Sequence, residues 1–129
     1  MEAMKKTKIL VVEDDNLFRW TLNHFLQKEG YEVYPVASGE SALDMAGKLS
    51  FDILISDFQL PGLNGKELIR KLKATHPQAK SILISAYQRE ELGSVDDSLL
   101  NAYLNKPIEW GVLREVLQNL AVPAGNLAQ

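Results

Sequence analysis

The chain has 129 residues, 46% of them hydrophobic and 24% charged, with a formal net charge of −3 and no cysteine. That length suits one domain with its own buried core. The composition rules out disulfides, thiolate catalysis and cysteine-held metal, and it gives no electrostatic case for direct nucleic-acid binding. No apolar run reaches the ~18 residues of a membrane span, and the charged Met1–Lys8 start is not followed by a secretory apolar stretch. A cytoplasmic protein is the expectation.

Lys8–Val12, KILVV, is a β-branched apolar run without alternation, as in a strand covered on both faces, and it runs into Glu13, Asp14 and Asp15. From Asn16 to Glu29 the pattern turns helical. Phe18, Leu22, Phe25 and Leu26 share a face, and Gly30 is placed to stop the helix. Tyr31–Val36 reads as a strand, and Pro35, which cannot donate to a ladder, marks it as an edge. Ser38 caps a second helix whose stripe is Ala42, Met45, Ala46 and Leu49.

The stretch Phe51–Gly62, FDILISDFQLPG, is a buried strand ending in a carboxylate, Asp57, with Pro61 and Gly62 breaking the chain soon after. Taken alone, Asp57 reads first as a loop cap, because aspartate is a common turn residue, and the other strand ends decide for chemistry. Asn64 and Glu67 have the spacing of a helix cap and its third-position acid, and Leu68, Ile69 and Leu72 give that helix its buried side. His76–Pro77 closes it. Ser81–Ser85, SILIS, is a fourth strand ending on a hydroxyl. Glu90–Leu99 keeps a stripe of Leu92, Val95 and Leu99, but Gly93, Ser94 and the Asp96–Asp97 pair oppose it, so a short or mobile helix is expected. Ala102–Leu104 is a brief strand before Asn105, Lys106 and Pro107. A last helix carries Leu113, Val116, Leu117 and Leu120, and Val122–Gln129 reads as a frayed tail.

Strands and helices alternating in this way predict an α/β fold, a doubly wound five-stranded parallel sheet in the order 2-1-3-4-5. Such sheets bind ligands at the carboxyl ends of their strands, which here present Glu13, Asp14, Asp57, Ser85 and Lys106. All should meet at one rim. Close carboxylates repel by roughly 4 kcal/mol per pair at an effective dielectric near 20, so the cluster calls for cations. Lys106 is one, and oxygen-only ligands suit Mg²⁺ for the rest. His24 and His76 lie apart with no cysteine nearby, so zinc is not expected.

The pieces VVEDD, LISDFQLPGLNG, ILISAY and AYLNKP, in this order, resemble the receiver domain of two-component response regulators over about Lys6 to Leu120. The resemblance implies a flavodoxin-like (βα)5 receiver filling the chain, with a core of about 6–120 and a tail over 121–129. It implies a regulatory domain rather than an enzyme, with Asp57 as phosphoacceptor for a sensor histidine kinase or histidine phosphotransfer protein. Asp14, Asp57 and the backbone carbonyl of Gln59 would hold Mg²⁺, and Glu13 would act through coordinated water. Lys106 would pair with Asp57 and then with the phosphoryl oxygens. Ser85 would hydrogen-bond the phosphoryl group, and Tyr103 would swing inward as Ser85 moves. The surface around Glu90–Leu99 and the fifth strand would then meet an output partner of unknown identity, and a phosphorylation-dependent dimer is compatible with that.

Several positions depart from the family pattern. Ser85 replaces the commoner threonine, Ile108 stands where an aromatic often follows Lys-Pro, and Tyr87–Ala102 lacks the usual alanines and glycines. Gln59 and Tyr87 flank the phosphoryl position, where a bulky Tyr87 would slow hydrolysis. The NLFRW segment is similar to receivers of nitrogen-regulator-type activators. Three other functions are weighed against this one, of which a flavin- or nucleotide-binding module would need a phosphate-cradling glycine-rich loop, and no G-x-G-x-x-G or Walker pattern is present. An aspartyl phosphohydrolase would want an acid two residues after Asp57, where Gln59 stands. A receiver-like scaffold that is never phosphorylated would not need Asp14, Asp57, Ser85 and Lys106 together.

Overall fold

A computed structural model describes residues 6–88, 90 and 99–120. The elements run β1 (Lys8–Val12), α1 (Asn16–Lys28), β2 (Glu32–Val36), α2 (Gly39–Ala46), β3 (Ile53–Asp57), α3 (Gly65–Thr75), β4 (Lys80–Ser85), β5 (Ala102–Asn105) and α4 (Trp110–Leu120). All strand pairs are parallel, in the order β2-β1-β3-β4-β5. The expected architecture is the one found, with Pro35 on the edge strand β2. Most of the Glu90–Leu99 helix and the Val122–Gln129 tail lie outside the described residues.

Alternation along the strands explains the two-sided core. Ile9, Val11, Ile53, Ile55, Ile82 and Ile84 point to one face, where Leu22 and Leu26 of α1 and Leu113 and Leu117 of α4 cover them. Leu10, Val12, Leu54 and Leu83 point to the other, against Ala42 and Ala46 of α2 and Leu68, Ile69 and Leu72 of α3. Both faces are dry. That is why β1 and β3 read as continuous apolar runs rather than alternating ones.

The helix ends follow their local chemistry. Asp15, extended at the start of α1, accepts the Phe18 N–H, and Ser38 and Asn64 do the same for the N–H groups of Ser41 and Glu67. At the end of α1, Gly30 takes φ 98°, and the N–H groups of Gly30 and Tyr31 reach back to the carbonyls of Gln27 and Leu26. This left-handed stop leads directly into β2. The second helix is shorter than its sequence stripe, because it ends at Ala46 with Gly47 as cap. Leu49 lies beyond that end and still packs on the core from the loop.

Gly65 fixes the seam between β3 and α3. A Cβ there would stand 2.3 Å from the Asp57 carbonyl oxygen, and the Gly65 N–H donates to the Phe58 carbonyl at 2.9 Å. The helix therefore starts against the backbone of Asp57, and only glycine permits that approach.

Candidate functional site

The carboxyl ends of the parallel strands converge as expected. Glu13 follows β1, Asp57 ends β3, Ser85 ends β4, and Lys106 follows β5. Asp57 is 6% exposed and Glu13 only 2%, while Asp14 between them in the cluster is exposed. One carboxylate oxygen from each of the three lies within 4.8 Å of the others. The three consecutive acids read from the sequence thus have separate jobs. Glu13 turns inward, Asp14 faces the pocket mouth, and Asp15 caps α1.

Lys106 bridges the two buried acids, with its Nζ 2.8 Å from Asp57 Oδ2 and 3.2 Å from Glu13 Oε1. Its side chain arrives there because the Lys106 N–H donates to the Ser85 carbonyl at 2.8 Å, which continues the sheet pairing one step past β5. The Lys106–Pro107 bond that follows is cis. Burial pulls the Lys106 ammonium downward, but hydrogen bonding and attraction to Asp57, joined by Glu13, outweigh it and hold the group above its ordinary value. Burial pushes the Glu13 carboxyl up to about 7, against the Asp15 N–H that stabilises its charge, with the Asp57 charge raising it further. The pocket therefore carries more negative charge than one lysine can neutralise.

Backbone groups complete the arrangement. Asp57 Oδ1 accepts the Gln59 N–H at 3.1 Å, Glu13 Oε2 accepts the Asp15 N–H at 2.9 Å, and Arg19 clamps the Glu13 carbonyl at 2.7 Å. Ser85 is buried, and its Oγ accepts the Tyr87 N–H at 3.0 Å. Gln59 Nε2 donates to the Tyr87 hydroxyl at 3.1 Å. Tyr103 is half-buried, and its hydroxyl donates to the Tyr87 carbonyl, which also accepts Asn105 Nδ2 at 2.6 Å. The two histidines are elsewhere, His24 stacked on Trp20 and His76 on Phe51. The donors gathered here are all oxygens, and that set fits a hard divalent cation beside a phosphoryl group.

Residues 9–118 match the family model for the response regulator receiver domain. The chain belongs to that family. Among characterised relatives, it is 29% identical to sporulation initiation phosphotransferase F of Bacillus subtilis, over 89% of this chain and 94% of that protein. It is 31% identical to the response regulator protein FleR of Pseudomonas aeruginosa, over 89% of this chain but only 24% of that protein. The solved structure of the response regulator TrrA of Thermotoga maritima, in complex with Mg²⁺-BeF, superposes with a TM-score of 0.81 at 31% identity, covering 88% of this chain and 98% of that one. This receiver is thus a regulatory domain of two-component signalling. Among its described residues no helix is long and apolar enough to cross a membrane.

The residues singled out from the sequence, Glu13, Asp14, Asp57, Ser85 and Lys106, stand at the ends of adjacent strands, and Gln59 and Tyr103 flank them. Sequence reasoning missed three contributors. Arg19 grips the Glu13 carbonyl, Gly65 lets α3 abut Asp57, and Phe18 presents its ring to Lys106 with the centroid 4.9 Å from Nζ. Only the FRW triplet just after the acidic run hinted at the first and third.

Proposed function

We propose that this receiver accepts a phosphoryl group on Asp57 from a histidine of a sensor kinase or phosphotransfer protein, in a Mg²⁺-dependent reaction. The observation that carries the reading is the Lys106 ammonium 2.8 Å from Asp57, inside a cluster of three carboxylates spanning at most 4.8 Å. An oxygen of Asp57 attacks the phosphorus. The new O–P bond forms as the donor's N–P bond breaks, and the electron pair stays on the imidazole nitrogen. The reaction asks the site mainly for position and charge neutralisation.

The role of each residue follows from its surroundings. Gln59 N–H and Lys106 aim the Asp57 carboxylate from two sides. Asp14, Asp57 and the Gln59 carbonyl would hold the Mg²⁺, which when bound neutralises charge on the transferring group. Glu13, whose oxygens meet Lys106 and the Asp15 N–H, would act on the ion through coordinated water. Lys106 and Ser85 then bond the phosphoryl oxygens, so the domain assists its own modification and its reversal. For Ser85 this means releasing the Tyr87 N–H. Because Tyr87 also accepts from Tyr103, that release gives Tyr103 a reason to move, and the face at β5 and the segment before it changes for an output partner. A receiver core over about 6–120, working in the cytoplasm, completes the reading.

Intact-mass measurement after incubation with Mg²⁺ and acetyl phosphate tests it. A gain of one phosphoryl group is expected in the wild type and not in Asp57→Asn. Wild-type protein left unmodified with donor in excess would sink the proposal and leave the unphosphorylated scaffold in its place.

A further inference from the structure

Lys106 has a third neighbour that plays no part in the chemistry just described. Its Nζ lies over the Phe18 ring, 4.9 Å from the centroid. That is within cation–π range, and the ammonium is partly withdrawn from water, which strengthens such contacts. The Phe18 ring is itself fixed. Its centroid lies 6.4 Å from that of Trp110, whose centroid is 4.8 Å from that of Phe25, and the Arg114 guanidinium lies over the Phe25 ring at 5.6 Å. Arg114 in turn forks onto both oxygens of Glu29. Three rings from α1 and α4 thus pack in series, with Lys106 over the first and Arg114 over the last.

An aliphatic residue at position 18 would fill the same space but would offer the ammonium only an apolar wall. Desolvation would then push the lysine head outward toward water, away from Asp57. An aromatic face reverses the sign, making the wall attractive. We propose that Phe18 is a positioning residue for phosphoryl transfer: its ring face holds the Lys106 ammonium against Asp57 and Glu13. The inference rests on the function proposed above for the rate of transfer, but not for the placement of Lys106, which can be read separately.

The test replaces Phe18 with phenylalanines carrying one, two and three ring fluorines, and with leucine. Fluorine drains the ring face of negative potential while changing its shape little. The small donor acetyl phosphate, with Mg²⁺, is used so that no protein docking surface enters the rate. The phosphorylation rate should fall stepwise with each fluorine, and about fivefold in Phe18→Leu, the size expected for one partly desolvated cation–π contact. Thermal melting of the fluorinated proteins should not follow that order, because their packing is retained. In parallel, proton NMR of the unphosphorylated protein should show the Lys106 ε-methylene shifted upfield by the ring, and the shift should vanish in Phe18→Leu. A flat rate series in protein that does become phosphorylated overturns the inference and leaves the proposed function standing. Wild type that gains no phosphoryl group overturns the function, and the ε-methylene shift then decides the placement alone: an unshifted resonance overturns it.

Discussion

The contact between Gly65 and the backbone of Asp57 makes a quantitative prediction. A methyl group at position 65 would stand 2.3 Å from the Asp57 carbonyl oxygen and 3.0 Å from the Phe58 Cα. Ordinary carbon–oxygen contact is roughly 3.4 Å, so β3 and the start of α3 would have to separate by about 1 Å. Overpacking of this kind costs ~1–3 kcal/mol, and here both colliding parties are backbone, which places Gly65→Ala at the upper end. Stretching the bond from the Gly65 N–H to the Phe58 carbonyl adds about 1 kcal/mol. The sum, about 3–4 kcal/mol, is a large part of the roughly 5–15 kcal/mol that holds a domain together. Two other glycines calibrate it. Gly30 has φ 98° with open space around it, so Gly30→Ala should cost only about 1 kcal/mol of backbone strain. Gly111 in α4 also has open space but no positive φ, so Gly111→Ala should be neutral or stabilising by up to about 1 kcal/mol. Urea unfolding followed by circular dichroism gives all three from midpoints at constant slope. A Gly65→Ala protein within about 0.5 kcal/mol of wild type, or no worse than Gly30→Ala, would refute the close-approach account.

Two further outcomes are expected. Glu29 is held below the ordinary carboxylate range by its hydrogen bonds to Arg114, so its contribution to stability is present at neutral pH and lost as pH falls through that lowered value. Glu29→Gln should therefore unfold at lower urea than wild type near pH 7 and match it in acid, and a gap that persists in acid would contradict this. Gln59, whose N–H meets Asp57, also bonds the Tyr87 hydroxyl, and if that pair hinders water at the phosphoryl group, Tyr87→Ala should shorten the life of the phosphorylated form several-fold. An unchanged half-life, followed by loss of the modified mass after donor removal, would discard that role.

Much of the fold was legible because local signals and burial agree. The unbroken apolar runs of β1 and β3, the proline in β2, the Asn64 cap and the Gly30 stop each have one cheap physical solution, and the chain adopts it. The strand-end residues were legible for a related reason, since a parallel sheet leaves few other places for a carboxylate after an apolar strand. What escaped were relations between distant parts. Nothing at position 106 announces that its ammonium touches Glu13 as well as Asp57, or that a ring from α1 lies behind it. Gly65 looked like the residue after a cap, because sequence shows a missing side chain but not what occupies its place. Leu49 continued a stripe on paper, yet the helix had already ended at Gly47, and packing from a loop satisfied the same apolar demand.

The acids and the base of the pocket differ in how firmly they are mounted. Glu13 follows β1 and Asp57 ends β3, each strand hydrogen-bonded on both sides, whereas Lys106 follows β5, four residues long and, among the described residues, paired with β4 alone. The order of the strands therefore seats the acids on its interior members and the base beside its shortest one.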